Sequence, residues 1–249
     1  MLAKPAARDS VGYIAAVSTL DELVDWGSQP ESLQGDSHSS GQLLYRTSDR
    51  QVESGLWVCT PGRWRLSLPG DELCHFLAGR ATYYQDDGQV TEVRPGSVVL
   101  FPAGWRGECE VHETIRNTYM LSMTEPEAGQ NTEARLLGFP LPADKVVDWG
   151  PVATMVEGNS RTSGVMLYRR SDGCSEAGVW QCTPGWWNCH VTSDEYCHFL
   201  DGHCTYVHES GEVIDIAPDT LAFFPRGWRG TCHITETIRK VYMIRGAIR

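Results

Sequence analysis

No run of apolar residues in this chain approaches the ~18 that a membrane-crossing helix needs. The first twenty residues also lack the unbroken apolar core of a secretory leader, because Pro5, Arg8 and Asp9 interrupt it. There is no C-x-x-C pair, and the nine cysteines are an odd number. Without a leader, such cysteines read as reduced thiols in a cytoplasmic protein rather than a disulfide framework. Positive charge is short: the net charge is −11, and the largest local basic group is Tyr168-Arg169-Arg170. That argues against nucleic-acid and anionic-membrane partners, and an acidic surface is chiefly a matter of solubility. No Ser-His-Asp or Cys-His signature of nucleophilic catalysis stands out in the sequence.

What the chain does have is a stretch written twice. Residues 72–107 read ELCHFLAGRATYYQDDGQVTEVRPGSVVLFPAGWRG, and residues 195–230 repeat the pattern 123 positions later. Turn signals at Ala78-Gly79, Asp86-Asp87-Gly88, Arg94-Pro95-Gly96 and Pro102-Ala103-Gly104 predict short antiparallel strands, since βα crossovers need longer connections. The register holds from Val24-Asp25-Trp26-Gly27 and Val147-Asp148-Trp149-Gly150 through Tyr119-Met120 and Tyr242-Met243, with roughly half of the aligned positions identical. The expected division is a lead-in over 1–23, one barrel over 24–122, a linker over 123–146 and a second barrel over 147–249. The lead-in could cap a short helix at Ser18 or Thr19, and Thr132 to Leu137 could form a brief helical turn. About eight strands per copy suffice to close a small barrel that holds one ligand.

Alternation along the strand sorts the side chains. If Glu72 points inward, so do Cys74 and Phe76, while Leu73, His75 and Leu77 face away. Glu195, Cys197 and Phe199 then point into the second barrel, and His198 faces out. His75 and His198 read as half-buried imidazoles satisfied by backbone partners. An inward carboxylate must be hydrogen-bonded, paired or metal-bound. For Glu72 and Glu195 two readings stand: a bond to a neighbouring Trp, Tyr or Arg, or a role toward a ligand or metal.

The pattern resembles the cupin superfamily, whose motifs run G-x5-H-x-H-x4-E-x6-G and G-x5-P-x-G-x2-H-x3-N. Glu72-x6-Gly79 and Glu195-x6-Gly202 match the end of the first motif, and Gly96-x5-Pro102-x-Gly104 the start of the second. In the second copy Asp219 replaces that first glycine, while Pro225-x-Gly227 stands. The resemblance implies an all-β bicupin of two tandem RmlC-like jelly-roll barrels. The strings E-x-C-H-F-L-x-G-x-x-T-Y, F-P-x-G-W-R-G and E-T-I-R-x-x-Y-M are similar to the small-cupin family named after (S)-ureidoglycine aminohydrolase, many members of which have no assigned activity.

The family's metal is held by two His and the Glu of the first motif and the His of the second. Laid on this sequence, those positions are Arg65, Ser67, Glu72 and Gly107 in the first copy, and Asn188, His190, Glu195 and Gly230 in the second. A transition metal wants three or four firm ligands. The resemblance therefore implies no metal in the first barrel and a depleted site of His190 and Glu195 in the second. By alternation Cys232 lies on the face of Gly230, and with Cys197 it is a thiolate candidate. No cofactor is the first expectation, and Mn, Zn, Fe or Ni in the second barrel the alternative. The aminohydrolase's Glu-x-His-x3-His arrangement is not reproduced after Glu195.

Arg63 and Arg65 are expected on the ligand-binding face beside Glu72, either clamping a carboxylate or pairing with the acid. Trp186, Asn188 and His190 take that face in the second copy. Trp186 has no repeat counterpart, since Arg63 stands there, and is the candidate pocket wall. Glu113 with Arg116, and Glu236 with Arg239, read as ion pairs. Most cysteines read as small buried fillers. The functional expectation is a binder of a small polar metabolite. The alternatives are a metal-dependent hydrolase working through His190 and Glu195, and a structural protein with filled barrels. The duplication would internalise a pseudo-dimer contact, and a homodimer of the whole chain is left open.

Overall fold

Turn residues at short spacing leave little but strand between them, and a computed structural model of the chain shows that outcome. It describes residues 13–20, 22–127 and 129–246, nearly all in strands and connecting turns. Three sheets result. A ten-stranded sheet carries the first copy. The second copy splits into a seven-stranded and a five-stranded sheet. Among the described residues no helix is long and apolar enough to cross a membrane.

Two long strands shape the first barrel. Asp71–Gln85 and Arg106–Ser122 pair along their length and bend from one face of the barrel to the other. The bend falls at Gly79, in the left-handed region at φ +79, where a Cβ would lie 2.2 Å from the Thr114 carbonyl oxygen. Only glycine meets both demands. Ala78-Gly79 is therefore a kink inside one strand, whereas the sequence reads it as a turn. In the second copy the kink at Gly202 breaks the strand into Asp194–Asp201 and Cys204–His208.

Each barrel has its own apolar filling. Trp64, Cys74, Phe76, Tyr83, Phe101, Trp105 and Cys109 fill the first, and Trp187, Cys197, Phe199, Tyr206, Phe224, Trp228 and Cys232 the second. A third cluster lies between the barrels, where Leu56, Leu73, Leu100 and Met120 meet Val179, Tyr196, Phe223 and Met243. These residues occupy matching repeat positions, so the two larger sheets pack back to back about a pseudo-twofold axis. His75 and His198 meet on this face with their Nδ1 atoms 2.8 Å apart. They do face away from the hollows, but both are buried, and each is the other's partner instead of a backbone group. Beside them Thr118 Oγ1 lies 2.7 Å from the Tyr196 hydroxyl.

Each segment outside the copies contributes one short strand. Tyr13–Ala16 pairs with Thr220–Phe224 of the second barrel, and Arg135–Leu137 with Val98–Phe101 of the first. Each leading strand thus completes the other barrel's sheet. No α-helix forms at Ser18 or Thr19: Val17–Thr19 is a single 3-10 turn starting after Ala16. Residues 135–137, expected to be helical, are extended because pairing offers their backbone a sheet edge. Asp219, which stands where the first copy has Gly96, has φ +71, and its carboxylate accepts the Ser18 N–H at 2.9 Å.

Candidate functional site

The second barrel encloses a hollow of about 1270 Å³. Trp180, Trp187, Tyr206 and Phe224 supply aromatic wall, and Glu195, Lys240, Glu176 and Tyr242 supply polar groups. Glu195 points inward as alternation along its strand requires. Its partner is a residue that the sequence reading passed over as an x in E-T-I-R-x-x-Y-M. The Lys240 ammonium donates to Glu195 Oε1 at 2.6 Å and to Cys197 Sγ at 3.2 Å. It also lies over the rings of Trp180 at 4.9 Å and Phe199 at 5.7 Å. Burial draws Lys240 toward neutrality, but Cys197 and the Glu195 carboxylate outweigh it and raise its pKa, so the ammonium persists. An ammonium has three N–H donors. Glu195 and Cys197 take two, which leaves one for a guest, since Lys240 lines the hollow.

A second polar cluster recurs in both barrels, and it too was missed. Tyr242 donates its hydroxyl proton to Glu176 Oε1 at 2.7 Å, and Arg169 Nε donates to Glu176 Oε2 at 2.8 Å. In the first copy Tyr119 and Arg46 do the same to Glu53, each at 2.8 Å. The signal was available, because all three residue types repeat at the 123-residue offset.

In the first barrel Glu72 also points inward, beside Cys74, whose thiol lies 3.6 Å from Oε1. Lys240 has no counterpart there; Asn117 occupies its place. Burial pushes the Glu72 carboxyl up to about 7, the Cys74 hydrogen bond opposing and the Glu53 charge adding. Neither Glu72 nor Glu195 is held by the Trp, Tyr or Arg neighbour that the first reading envisaged.

The other candidates are placed differently from expectation. Trp64 is buried in the core, so its neighbours Arg63 and Arg65 emerge on the outer face of the barrel. There Arg63 donates to Glu108 at 2.7 Å and lies over the Tyr84 ring, while Arg65 is 3.6 Å from Glu108. They pair with acids, but not with Glu72. Trp187 likewise turns inward, and this puts Trp186, Asn188 and His190 on the opposite face of their strand. Trp186 stands outside near His233, with ring centroids 6.5 Å apart, and is no pocket wall. Asn188 and His190 border the hollow only at its exposed mouth. Cys197 and Cys232 are interior, but burial raises both thiols, so neither offers a thiolate. The expected pairs Glu113–Arg116 and Glu236–Arg239 do not form: Arg80 takes Glu113, His203 takes Glu236, and Arg116 binds the lead-in carbonyls of Val17 and Leu20.

The donor set does not fit the metal that the resemblance would place here. Glu195 is already neutralised by Lys240, His190 leaves the strand on the other face, and the inward positions beside it are Trp187 and Cys189. Among the described residues no group of three or more His, Cys, Asp or Glu side chains is placed to hold a metal ion.

Comparison with solved structures returns the same architecture. A protein of unknown function of the DUF861 family from Pseudomonas syringae pv. tomato superposes with a TM-score of 0.74 at 14% identity, covering 94% of this chain and 98% of that one. Ylba from E. coli, also of DUF861, gives 0.60 at 9% identity, covering 96% and 92%. A cupin 2 conserved barrel domain protein from Leptotrichia buccalis gives 0.57 at 9%, covering 93% and 100%. These likenesses establish the fold alone. No curated protein matches the sequence. The EutQ-like cupin domain family matches twice, at residues 46–119 and 169–242, the same 123-residue offset at which the inward acids recur, and the chain belongs to that family as a bicupin.

Proposed function

We propose that this chain is a small-molecule-binding bicupin whose working pocket is the C-terminal barrel. The guest is a small polar metabolite, such as a carboxylate or ureide. One acceptor meets the remaining Lys240 N–H, and the body lies between Trp180 and Trp187. The observation that carries this reading is the Lys240 ammonium, bound to Glu195 inside an open hollow. A lysine there supplies a fixed cation at the acid that would otherwise bind metal. A charge-assisted hydrogen bond in a low-dielectric pocket is a strong anchor.

The test is thermal unfolding against a panel of small carboxylates and ureides. A binding guest raises Tm with concentration, and Lys240→Met abolishes the rise. No response to a broad panel would sink the reading and favour filled, structural barrels. Metal analysis of the purified protein provides the other arm. Stoichiometric Mn, Zn, Fe or Ni that disappears in His190→Ala or Glu195→Ala would replace this reading with a metal-dependent hydrolase of the ureidoglycine aminohydrolase type.

A further inference from the structure

The two barrels differ at one decisive position. In the second, Lys240 lies in register between Trp180 on one neighbouring strand and Phe199 on the other. In the first, Asn117 lies in register between Trp57 and Phe76, the repeat counterparts of those residues. The backbone therefore launches both side chains from equivalent points onto the same inward face. The groups in contact with the Lys240 ammonium are kept in the first copy. Glu72 stands for Glu195, Cys74 for Cys197, Trp57 for Trp180 and Phe76 for Phe199. Only the cation has gone, because the asparagine side chain ends at its amide.

That substitution leaves a buried acceptor without a donor. Asn117 is 1% exposed, and its Oδ1 has no hydrogen-bond partner. A buried amide oxygen is rarely left this way. The half-buried Glu72 carboxyl has a thiol at 3.6 Å and no cation to favour its charged form. A carbonyl oxygen, a carboxylate and the face of a tryptophan are the groups that recognise an ammonium: the oxygens take its N–H protons and the ring takes its charge. A hard cation would need many more oxygens than one carboxylate and one amide offer.

We propose that the first barrel binds a small primary ammonium group, ammonium itself or the head of a short amine, held between Glu72, Asn117 Oδ1 and the ring of Trp57. The second barrel shows the occupied form of the same site, with the ammonium tethered to the chain. This rests on the first barrel alone and stands or falls separately from the reading of the second.

The experiment is thermal unfolding of the full chain at pH 8 in ammonium chloride and methylammonium chloride, against sodium and potassium chloride at equal ionic strength. The wild type is expected to gain about 2–4 °C in the ammonium salts over the alkali salts. Glu72→Gln should lose that difference. Asn117→Lys should lose it as well, and unfold at a higher temperature than wild type in sodium chloride, because it carries its own ammonium. Equal Tm in all four salts would overturn the proposal, as would an undiminished ammonium effect in Glu72→Gln. An equal gain in potassium chloride would make this an alkali-metal site and overturn it too. If Asn117→Lys does not fold, the Glu72→Gln comparison decides alone.

Discussion

Lys240 and Asn117 occupy the same place in the two copies and impose opposite conditions on the acid beside them. Removing the lysine leaves Glu195 as an uncompensated, mostly buried charge. Lys240→Met should therefore cost about 3–5 kcal/mol in denaturant unfolding, and adding Glu195→Gln should recover much of it. A double variant no more stable than Lys240→Met would show that the pair is not the source. In the first barrel the raised Glu72 carboxyl runs the other way. Its proton is held more tightly in the folded state than in the unfolded one, so its contribution is complete below about pH 4.5 and is lost as pH rises through about 7. In sodium chloride, Glu72→Gln should stabilise the protein by about 1–2 kcal/mol at pH 8 and change little at pH 4, read from unfolding curves at both values. His75 has the opposite sign. Burial, and secondarily His198, pushes it down to about 3. The stability that its neutral ring provides is present above about pH 6.5 and fades as pH falls toward 3. The His75 and His198 Nδ1 atoms lie 2.8 Å apart, and His198 Nε2 lies 3.8 Å from Asp219, whose carboxyl that imidazole holds down at about 2. His75→Gln should flatten the acid limb of the stability profile. An unchanged limb would place its origin elsewhere.

At the scale of the strand, legibility depended on where alternation was anchored. From Glu72 the pattern ran unbroken through Leu73, Cys74, His75 and Phe76, and each faces as parity demands. Carried back across the turn, the same count puts Trp64 inward and Arg63 and Arg65 outward, as found; their expected place on the ligand-binding face came from motif spacing instead. That spacing runs across residues that are not strand, and Trp64 and Trp187, bulky and kept in both copies, were the surer guide to the inward face. Lys240 was equally legible in principle, as the one charged residue on an inward face where the copies disagree. What alternation could not give was partnership, because Glu113 and Arg116 flank register shifts in the pairing of Asp71–Gln85 with Arg106–Ser122. The leading strands were hidden for another reason: Tyr13–Ala16 takes its place from an edge some two hundred residues away. Deleting residues 1–20 should uncover that edge, because Tyr13 also packs on Tyr45, which stacks on Phe223. Hydrogen exchange should then accelerate at Thr220–Phe224 and leave Val98–Phe101 protected. Equal loss at both edges would refute the crossed assignment.

Over the whole molecule, the cluster between the barrels is as apolar as either interior. Leu73, Met120, Tyr196 and Met243 are each fully buried in it. An interface of that character behaves as core, and relative barrel motion is not expected. Contacts from the connecting segment reinforce it, with Arg170 Nη2 donating to the Glu125 carbonyl and Gln130 donating to the Tyr168 hydroxyl at 3.1 Å. A chain cut after Glu127 should therefore yield two fragments that co-purify as a one-to-one pair and unfold together. Fragments that elute separately, each folded, would show that the interface is weak.

The crossed leading strands also bear on how the protein is made. During synthesis Tyr13–Ala16 emerges some two hundred residues ahead of its partner, Thr220–Phe224. For most of translation it is an unclaimed edge segment, and such segments invite pairing with other nascent chains. The first barrel meets no such delay, since Arg135–Leu137 follows Val98–Phe101 closely. Ribosomes stalled far enough past residue 140 to free Arg135–Leu137 from the exit tunnel should carry a finished N-terminal barrel with Tyr13–Ala16 still unpaired. The second barrel is then completed only when Thr220–Phe224 captures a strand made some two hundred residues earlier.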